Sequence, residues 1–471
     1  LSAQIAIEAP ASRLETARCW PVSLLVVGAA AAAALAAVLA APGHFEHATL
    51  LGGYFALDAT SRLFLLLVNL VFLGVATYVW TRVRMAPRLR EGIGRLVALT
   101  LGFMAAANLA IVSSHLLVGW LFLELTTLFA APLVIRPGVR SSLLASWRYL
   151  LFSSVGLGLA LLGFACVARS LPEAGPAVFF LDHLAQAKPS GLWLTLGVAL
   201  LLLGYGTKLG LAPMYSWLPE TYDEAPPAVT ALLGAVQFNC ALVGLFRVVQ
   251  IARAWEPRLI TAQLVSLGLL SMAVSALGII ATKNYKRLLA FASINHAGVI
   301  AIGLGIGHSA SYGLLIYVVS NAFVKAILFL TAGEIKSYYR TKDMREISGL
   351  IKDLPYSGLF LMVGAFALLG LPPFGSFLGE LLILSELVRA DFLVVFTMFC
   401  ILLTITFVAT GRALFPMIWG EAKMSVSWPR QSFVAAVPKL VFLAAIVSMG
   451  IYLPVPINAL FRSVAASLGG P

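Results

Sequence analysis

The chain has 471 residues, 61% of them hydrophobic and 11% charged, with a mean hydropathy of +0.96; this excludes a soluble enzyme and describes a polytopic membrane protein. The net charge of +12 suggests nucleic acid, but the basic residues alternate by loop, which argues for a membrane topology and no nucleic-acid role. No GxxxxGK[ST] loop, HExxH motif or strand-flanked GxGxxG is present, so the chain has no visible nucleotide-driven engine.

With about 20 apolar residues needed per crossing, the hydropathy pattern predicts about thirteen transmembrane helices. They start near Pro21, Arg62, Gly94, His115, Leu144, Gly191, Ala228, Gln263, Leu289, Ala310, Tyr356, Leu393 and Ala436. The first run, Pro21 to Ala41, is longer than a signal-peptide core and lacks an obvious cleavage site, so it reads as a retained helix. The Pro42–Asp58 loop that follows holds His44, His47 and Asp58. Further on, AVFFLDHLAQAK has the spacing of a short interfacial helix. SYYRTKDMREISGLIKDLP mixes both signs on an expected short helix, either a solvated surface or a docking face for a soluble partner.

If the first helix enters from the cytoplasm, about 22 Lys and Arg fall on cytoplasmic loops or ends and about 8 on the other side, the positive-inside bias. Arg82-Arg84-Arg88-Arg90, Lys283-Lys286-Arg287 and Lys336-Arg340-Lys342-Arg345 carry most of it. The expectation is a bacterial or archaeal inner-membrane protein with a cytoplasmic N-terminus and an external C-terminus. Cys19, Cys166, Cys240 and Cys400 are isolated, with no CxxC pair. They read as packing residues, and no metal or cofactor is expected in this chain.

Two apolar runs are interrupted. Lys208, in GYGTKLGLAPMYSWLPETYDEAPPAVTALLGAVQFN, ends a long run that a Pro-rich stretch then breaks; GLPPFGSFLGELLIL breaks another before Glu380. Proline removes a backbone donor and disfavours helix before it. Groups freed in this way exist at membrane depth only where buried in protein or facing a wet cavity. Ionisable side chains beside such breaks, one in each half, point to paired half-helices around an ion path.

Together, GTKLGLAPMYSWLPETYDEAPPAVTALL, KRLLAFASINHAG, NAFVKAILFLTAGEI and GLPPFGSFLGELLIL give a sequence that resembles the proton-pumping antiporter-like membrane subunits of respiratory complex I and of multisubunit sodium/proton antiporters. It looks most like component F of hydrogenase-4-type complexes, over roughly residues 50–420. The resemblance implies an all-α fold with two inverted five-helix repeats, 93–252 and 260–416, each containing a broken helix. Residues 1–92 would hold the N-terminal helices, one fewer than the family pattern, and residues 417–471 a C-terminal helix and tail. It also implies a proton or ion pathway of Glu124 paired with Lys208, a central His296 and Lys325, and an exit at Glu380, with no catalytic residue. Departures from the family pattern are Tyr222 in place of a histidine, Asp223 beside Glu224, Asn239 in place of a second lysine, and Asn321 in place of a histidine. These positions are possible pathway or loop contributors, and water would bridge more of the wire here.

Taken without the resemblance, each residue has a plainer reading. Glu124 would be half of a structural ion pair, Lys208 a snorkelling helix-end cation, His296 a hydrogen-bonded core residue, and Lys325 with Glu380 a static salt bridge. The expected function is an ion-translocating subunit, with protons the expected ion, of a redox-driven complex whose other membrane and cluster-bearing subunits carry the electrons. The alternatives are the membrane subunit of an inorganic-carbon (CO2/bicarbonate) uptake system, a sodium/proton antiporter subunit, and a scaffold that has lost conduction.

Overall fold

Peptide groups in a bilayer must find their partners within the segment, and apolar runs of this length do so as helices. A computed structural model describes residues 11–41, 49–85, 92–171, 176–307, 310–421 and 433–469. His44, His47, Arg88 and Arg90 lie outside the described residues, as does the side chain of Cys19.

The first half contains α1 (Ala11–Ala40), α2 (Ala59–Met85), α3 (Ile93–Val112), α4 (Leu116–Val134), α5 (Arg140–Ser170), α6 (Leu181–Gln186), α7 (Leu192–Leu209), α8 (Trp217–Glu224) and α9 (Pro227–Leu232). A π-helical turn, Leu233–Gln237, carries α9 into α10 (Phe238–Trp255). Then come α11 (Pro257–Ala281), α12 (Tyr285–Ile306), α13 (Ala310–Tyr339), α14 (Leu350–Asp353), α15 (Pro355–Leu368), α16 (Gly375–Arg389), α17 (Leu393–Trp419), α18 (Phe433–Ile451) and α19 (Val455–Ser467). A two-residue hairpin pairs Thr49–Leu50 with Phe55–Ala56 before α2.

Among the described residues, 12 helices are long and apolar enough to cross a membrane. The crossing expected from Tyr356 is instead built from α15 and α16 on either side of a break. Several helices begin a turn before the hydropathy does, because a polar first turn is invisible to an apolar window. α12 is one: the Asn284 side chain accepts from the backbone N–H groups of Lys286 and Arg287 and caps the helix. Asp58 caps α2 by accepting from Ser61 N–H at 2.7 Å, and Arg247 of α10 reaches it at 3.4 Å. AVFFLDHLAQAK forms a 3-10 turn, Pro176–Phe179, and α6. SYYRTKDMREISGLIKDLP is not the single short helix expected. α13 ends before Arg340 at φ +56°, and Gly349 at φ +70° separates the 3-10 turn Met344–Glu346 from the four-residue α14.

In lipid the hydrophobic effect does not drive helix against helix, so close approach through small residues has to. A Cβ on Gly204 of α7 would come within 2.6 Å of the Ala160 nitrogen of α5. One on Gly379 of α16 would come within 2.8 Å of the Gly313 carbonyl and Tyr317 nitrogen of α13. α13 is enclosed along its most apolar stretch, α12 nearly so, whereas α17 faces outward over most of its surface.

The two interruptions are closed alike. α7 stops at Gly210, φ +77°, with Gly210 N–H donating to Thr207 O at 3.1 Å and Leu211 N–H to Gly206 O at 2.9 Å. α15 stops at Gly370, φ +64°, with Gly370 N–H donating to Ala367 O at 3.3 Å and Leu371 N–H to Phe366 O at 3.1 Å. Left-handed glycine is the low-cost way to make this closure. Each break also recruits a side-chain donor for a freed carbonyl, Trp217 Nε1 for Thr207 O at 3.0 Å and Ser376 Oγ for Ala367 O at 2.6 Å. A cis X–Pro bond follows in each, Ala212–Pro213 and Pro372–Pro373. These bonds pair backbone groups of both breaks inside the protein, as membrane depth requires.

Candidate functional site

Lys208 sits in the last turn of α7, 3% exposed, immediately before the Gly210 closure. A cation there faces the carbonyl end of the helix dipole, a favourable location. Its Nζ donates to Thr127 Oγ1 of α4, and the Tyr149 ring of α5 lies 5.6 Å away. The Thr127 hydroxyl lies 3.5 Å from Glu124 Oε2, while Glu124 Oε1 accepts from Ser154 Oγ at 2.6 Å. Lys208 and Glu124 are therefore brought together, but a threonine hydroxyl, rather than a direct ion pair, joins them. Glu124 is half-buried on a helix whose neighbouring Leu121 and Leu128 are exposed.

The π turn forms the next layer. Tyr149 OH donates to Gln237 Oε1 at 2.8 Å, and Gln237 Nε2 donates to Thr126 Oγ1 at 3.0 Å. The widened turn carries the Gln237 amide that joins Tyr149 to Thr126; such turns recur at functional positions. On the following residue the Phe238 ring stands 3.8 Å from Lys325 Nζ of α13. Lys325 is 1% exposed, and its ammonium has no hydrogen-bond partner among the described residues. The Oδ1 atoms of Asn239, Asn295 and Asn321 are likewise buried without a partner among them. Asn239 uses its Nδ2 on Ala235 O at 2.6 Å.

Downstream, His296 Nδ1 of α12 is hydrogen-bonded to the Tyr317 hydroxyl of α13, and the Glu380 carboxyl of α16 stands near the same hydroxyl. All three are buried. A side chain at Gly370 would overlap the Glu380 carboxyl, so the glycine that closes α15 also makes room for the acid. The static Lys325–Glu380 salt bridge does not form.

The other positions separate by role. Tyr222 is an aromatic core residue, edge-on to Trp217 and Phe329. Asp223 pairs with Lys342 at 2.7 Å and Arg287 at 3.3 Å and accepts from Asn284 Nδ2 at 3.0 Å. Glu224 meets Arg136, and Lys342 at 3.1 Å. Asp223 and Glu224 thus tie α8 to neighbouring loops and do not join the buried row.

Sequence reasoning passed over Thr127, Tyr149, Ser154, Gln237 and Tyr317. Two of these had a visible signal: Thr127 is one helical turn from Glu124, and Tyr317, Asn321 and Lys325 recur at intervals of four on one helix face. It also missed the pair between Glu334 of α13 and Lys439 of α18, whose Nζ lies 2.8 and 2.7 Å from the two carboxylate oxygens.

Comparisons with known proteins agree with this architecture. The family model described as NADH:quinone oxidoreductase/Mrp antiporter, TM, matches residues 113–406. The chain is 32% identical over 353 residues to a hydrogenase-4 component F homolog of Methylacidiphilum infernorum, covering 71% of this chain and 73% of that one. It is 28% identical to a subunit of the Na(+)/H(+) antiporter of Bacillus subtilis, covering 59% of this chain and 56% of that one. Among solved structures, a chain of the membrane-bound sulfane sulfur reductase, an archaeal respiratory membrane complex, superposes with a TM-score of 0.83 at 21% identity, covering 95% of this chain and 92% of that one. At that identity the likeness speaks to fold.

Proposed function

The chain belongs to the NADH:quinone oxidoreductase/Mrp antiporter membrane family, and from that premise we propose that it translocates ions, protons in the first place, as one subunit of a redox-driven membrane complex of the hydrogenase-4/complex I kind. One observation carries the reading. Lys208, buried beside a helix break, is linked through Thr127 to the half-buried Glu124, an arrangement in which a small movement of one helix changes the charge balance of the other.

Glu124 is the place where a neighbouring subunit acts, because α4 presents exposed apolar residues on either side of it. Displacing Glu124 removes the counter-charge from the lysine site and releases its proton toward Tyr149 and Gln237. Lys325 receives charge next. The open Asn239, Asn295 and Asn321 oxygens supply acceptors for bridging water, which buried polar groups ordinarily take. His296, Tyr317 and Glu380 form the exit: a hydroxyl that accepts from Nδ1–H and donates to the carboxylate can pass a proton by exchanging both bonds. The matched closure of the two breaks supports inverted repeats over 93–252 and 260–416, flanked by 1–92 and 417–471. The basic loops support a cytoplasmic N-terminus in a bacterial or archaeal inner membrane. Electrons would run through cluster-bearing partner subunits.

The test is Lys208→Met in the whole complex, reconstituted in vesicles and followed with a pH-sensitive dye during turnover. Translocation per turnover should fall at least tenfold while assembly persists. Unchanged translocation by the assembled variant removes Lys208 from the mechanism. A signal that follows sodium rather than the proton gradient moves the reading to sodium/proton exchange.

A further inference from the structure

A second feature lies apart from the buried row, where the ends of α2 and α13 meet the starts of α3, α9 and α12. There a cavity of about 570 Å³ is lined by five cationic side chains, Arg82, Arg136, Lys286, Lys336 and Arg340, and by no carboxylate among the described residues. Arg136 is neutralised by Glu224. The rest have weaker partners or none: Lys286, 1% exposed, donates to the carbonyls of Asp223 and Ala225 at 2.8 and 3.0 Å, and Arg82 donates to Ser337 Oγ at 3.1 Å. Neither Lys336 nor Arg340 makes an ion pair among the described residues. Cations gathered this closely repel one another, and an anion of matching geometry relieves that repulsion.

One flank of the cavity is apolar, with Val79, Val83, Ile93 and Leu96 side by side on α2 and α3. A free phosphate would match the charges and waste this surface. Height in the membrane supplies a further constraint: in the last turns of α2, Arg84 stacks on Trp80 at 3.9 Å, the aromatic and basic pairing typical of the headgroup level. A basic recess between transmembrane helices with an aliphatic flank fits a ligand that is anionic at one end and hydrocarbon at the other.

We propose that this cavity binds an anionic phospholipid, its headgroup phosphate against Lys336, Arg340 and Arg82 and its chains along Val79, Val83 and Leu96. The bound lipid offsets part of the positive charge of the recess and holds the end of α13, the helix that carries Lys325, against α2 and α3. An acidic segment of a partner subunit would suit the cations but not the aliphatic flank, and so fits less well.

The experiment is native mass spectrometry of the whole complex purified in mild detergent, titrated with phosphatidylglycerol, phosphatidylcholine or inorganic phosphate. Saturable phosphatidylglycerol adducts should form on the wild type, phosphatidylcholine should not replace them, and the double variant Lys336→Gln/Arg340→Gln should weaken them about tenfold or more. The charge-keeping variant Lys336→Arg/Arg340→Lys should retain them. Lys283→Gln/Lys352→Gln, which removes two cations outside the cavity, should leave them unchanged. Equal binding of both lipids, undiminished adducts on the first variant, or displacement of the lipid by inorganic phosphate at the same headgroup concentration would each overturn the proposal. So would adducts that form only after a partner subunit is stripped away, since an acidic polypeptide would then fill the recess.

Discussion

Lys439 and Lys325 are buried to the same degree, 1% exposed each, and both are held against or on α13, yet their surroundings are opposite. Lys439 is clamped by both oxygens of Glu334, to which Ser357 adds a hydrogen bond at 2.7 Å. Lys325 has the face of Phe238 and no hydrogen-bond partner among the described residues. A paired buried charge can serve as a lock between helices. An unpaired one cannot, since an apolar side chain of the same volume would be more stable there. Lys208 stands between the extremes, with a hydroxyl and a distant, half-buried carboxylate. One fold thus contains a fixed charge, an adjustable one and an open one.

Substitution separates these cases, the largest effect first. Lys325→Met should abolish translocation by the reconstituted complex while its thermal midpoint holds or rises; a variant that still translocates would place the open lysine outside the path. Glu334→Gln should do the reverse by leaving Lys439 buried without its counter-charge. A loss of about 3–5 kcal/mol is expected, read by thermal unfolding in detergent, and Glu334→Gln/Lys439→Met should recover most of it. Wild-type stability in the single variant would show that the pair is no lock. Thr127→Val takes the hydroxyl from Lys208 and should weaken the site by about 1.5–3 kcal/mol, the range for hydrogen bonds to charged groups. It would appear as slower translocation with unchanged assembly. Tyr317→Phe removes the hydroxyl that is hydrogen-bonded to His296, and the loss of that hydrogen bond alone predicts about 0.5–1.5 kcal/mol, seen as a translocation rate slower by a few-fold or more. If the rate is untouched, protons leave by another way.

The sequence made the helices legible because apolar runs and their interruptions are local signals. Lys208 and Glu380 were visible for the same reason, each a charge beside a break. What stayed hidden was pairing across helices. Hydropathy cannot tell that Glu334 meets a lysine 105 residues further on, nor that Gln237, on a turn one residue wider than an α-helix, points at Tyr149. Between Glu124 and Lys208 the structure puts Thr127, one turn from Glu124 on the same helix, which looked like packing. Asp223 and Glu224 are conspicuous in sequence because they are charged, yet neighbouring basic residues hold them at the edge of the bundle.

The enclosure of α13 has a consequence for how the chain is made. Helices enter the bilayer in the order of synthesis and associate afterwards. When α13 emerges, the helices that will cover its other side, α15, α16 and α18, have yet to be translated. Until α18 arrives with Lys439, Glu334 waits without its cation, and Lys325 waits in a half-built bundle. Completion of the carboxy-terminal helices is therefore the step that commits this chain to its final form, and a ribosome-arrested chain ending before residue 433 should present α13, with Glu334 still lacking Lys439, to the membrane's quality-control proteases.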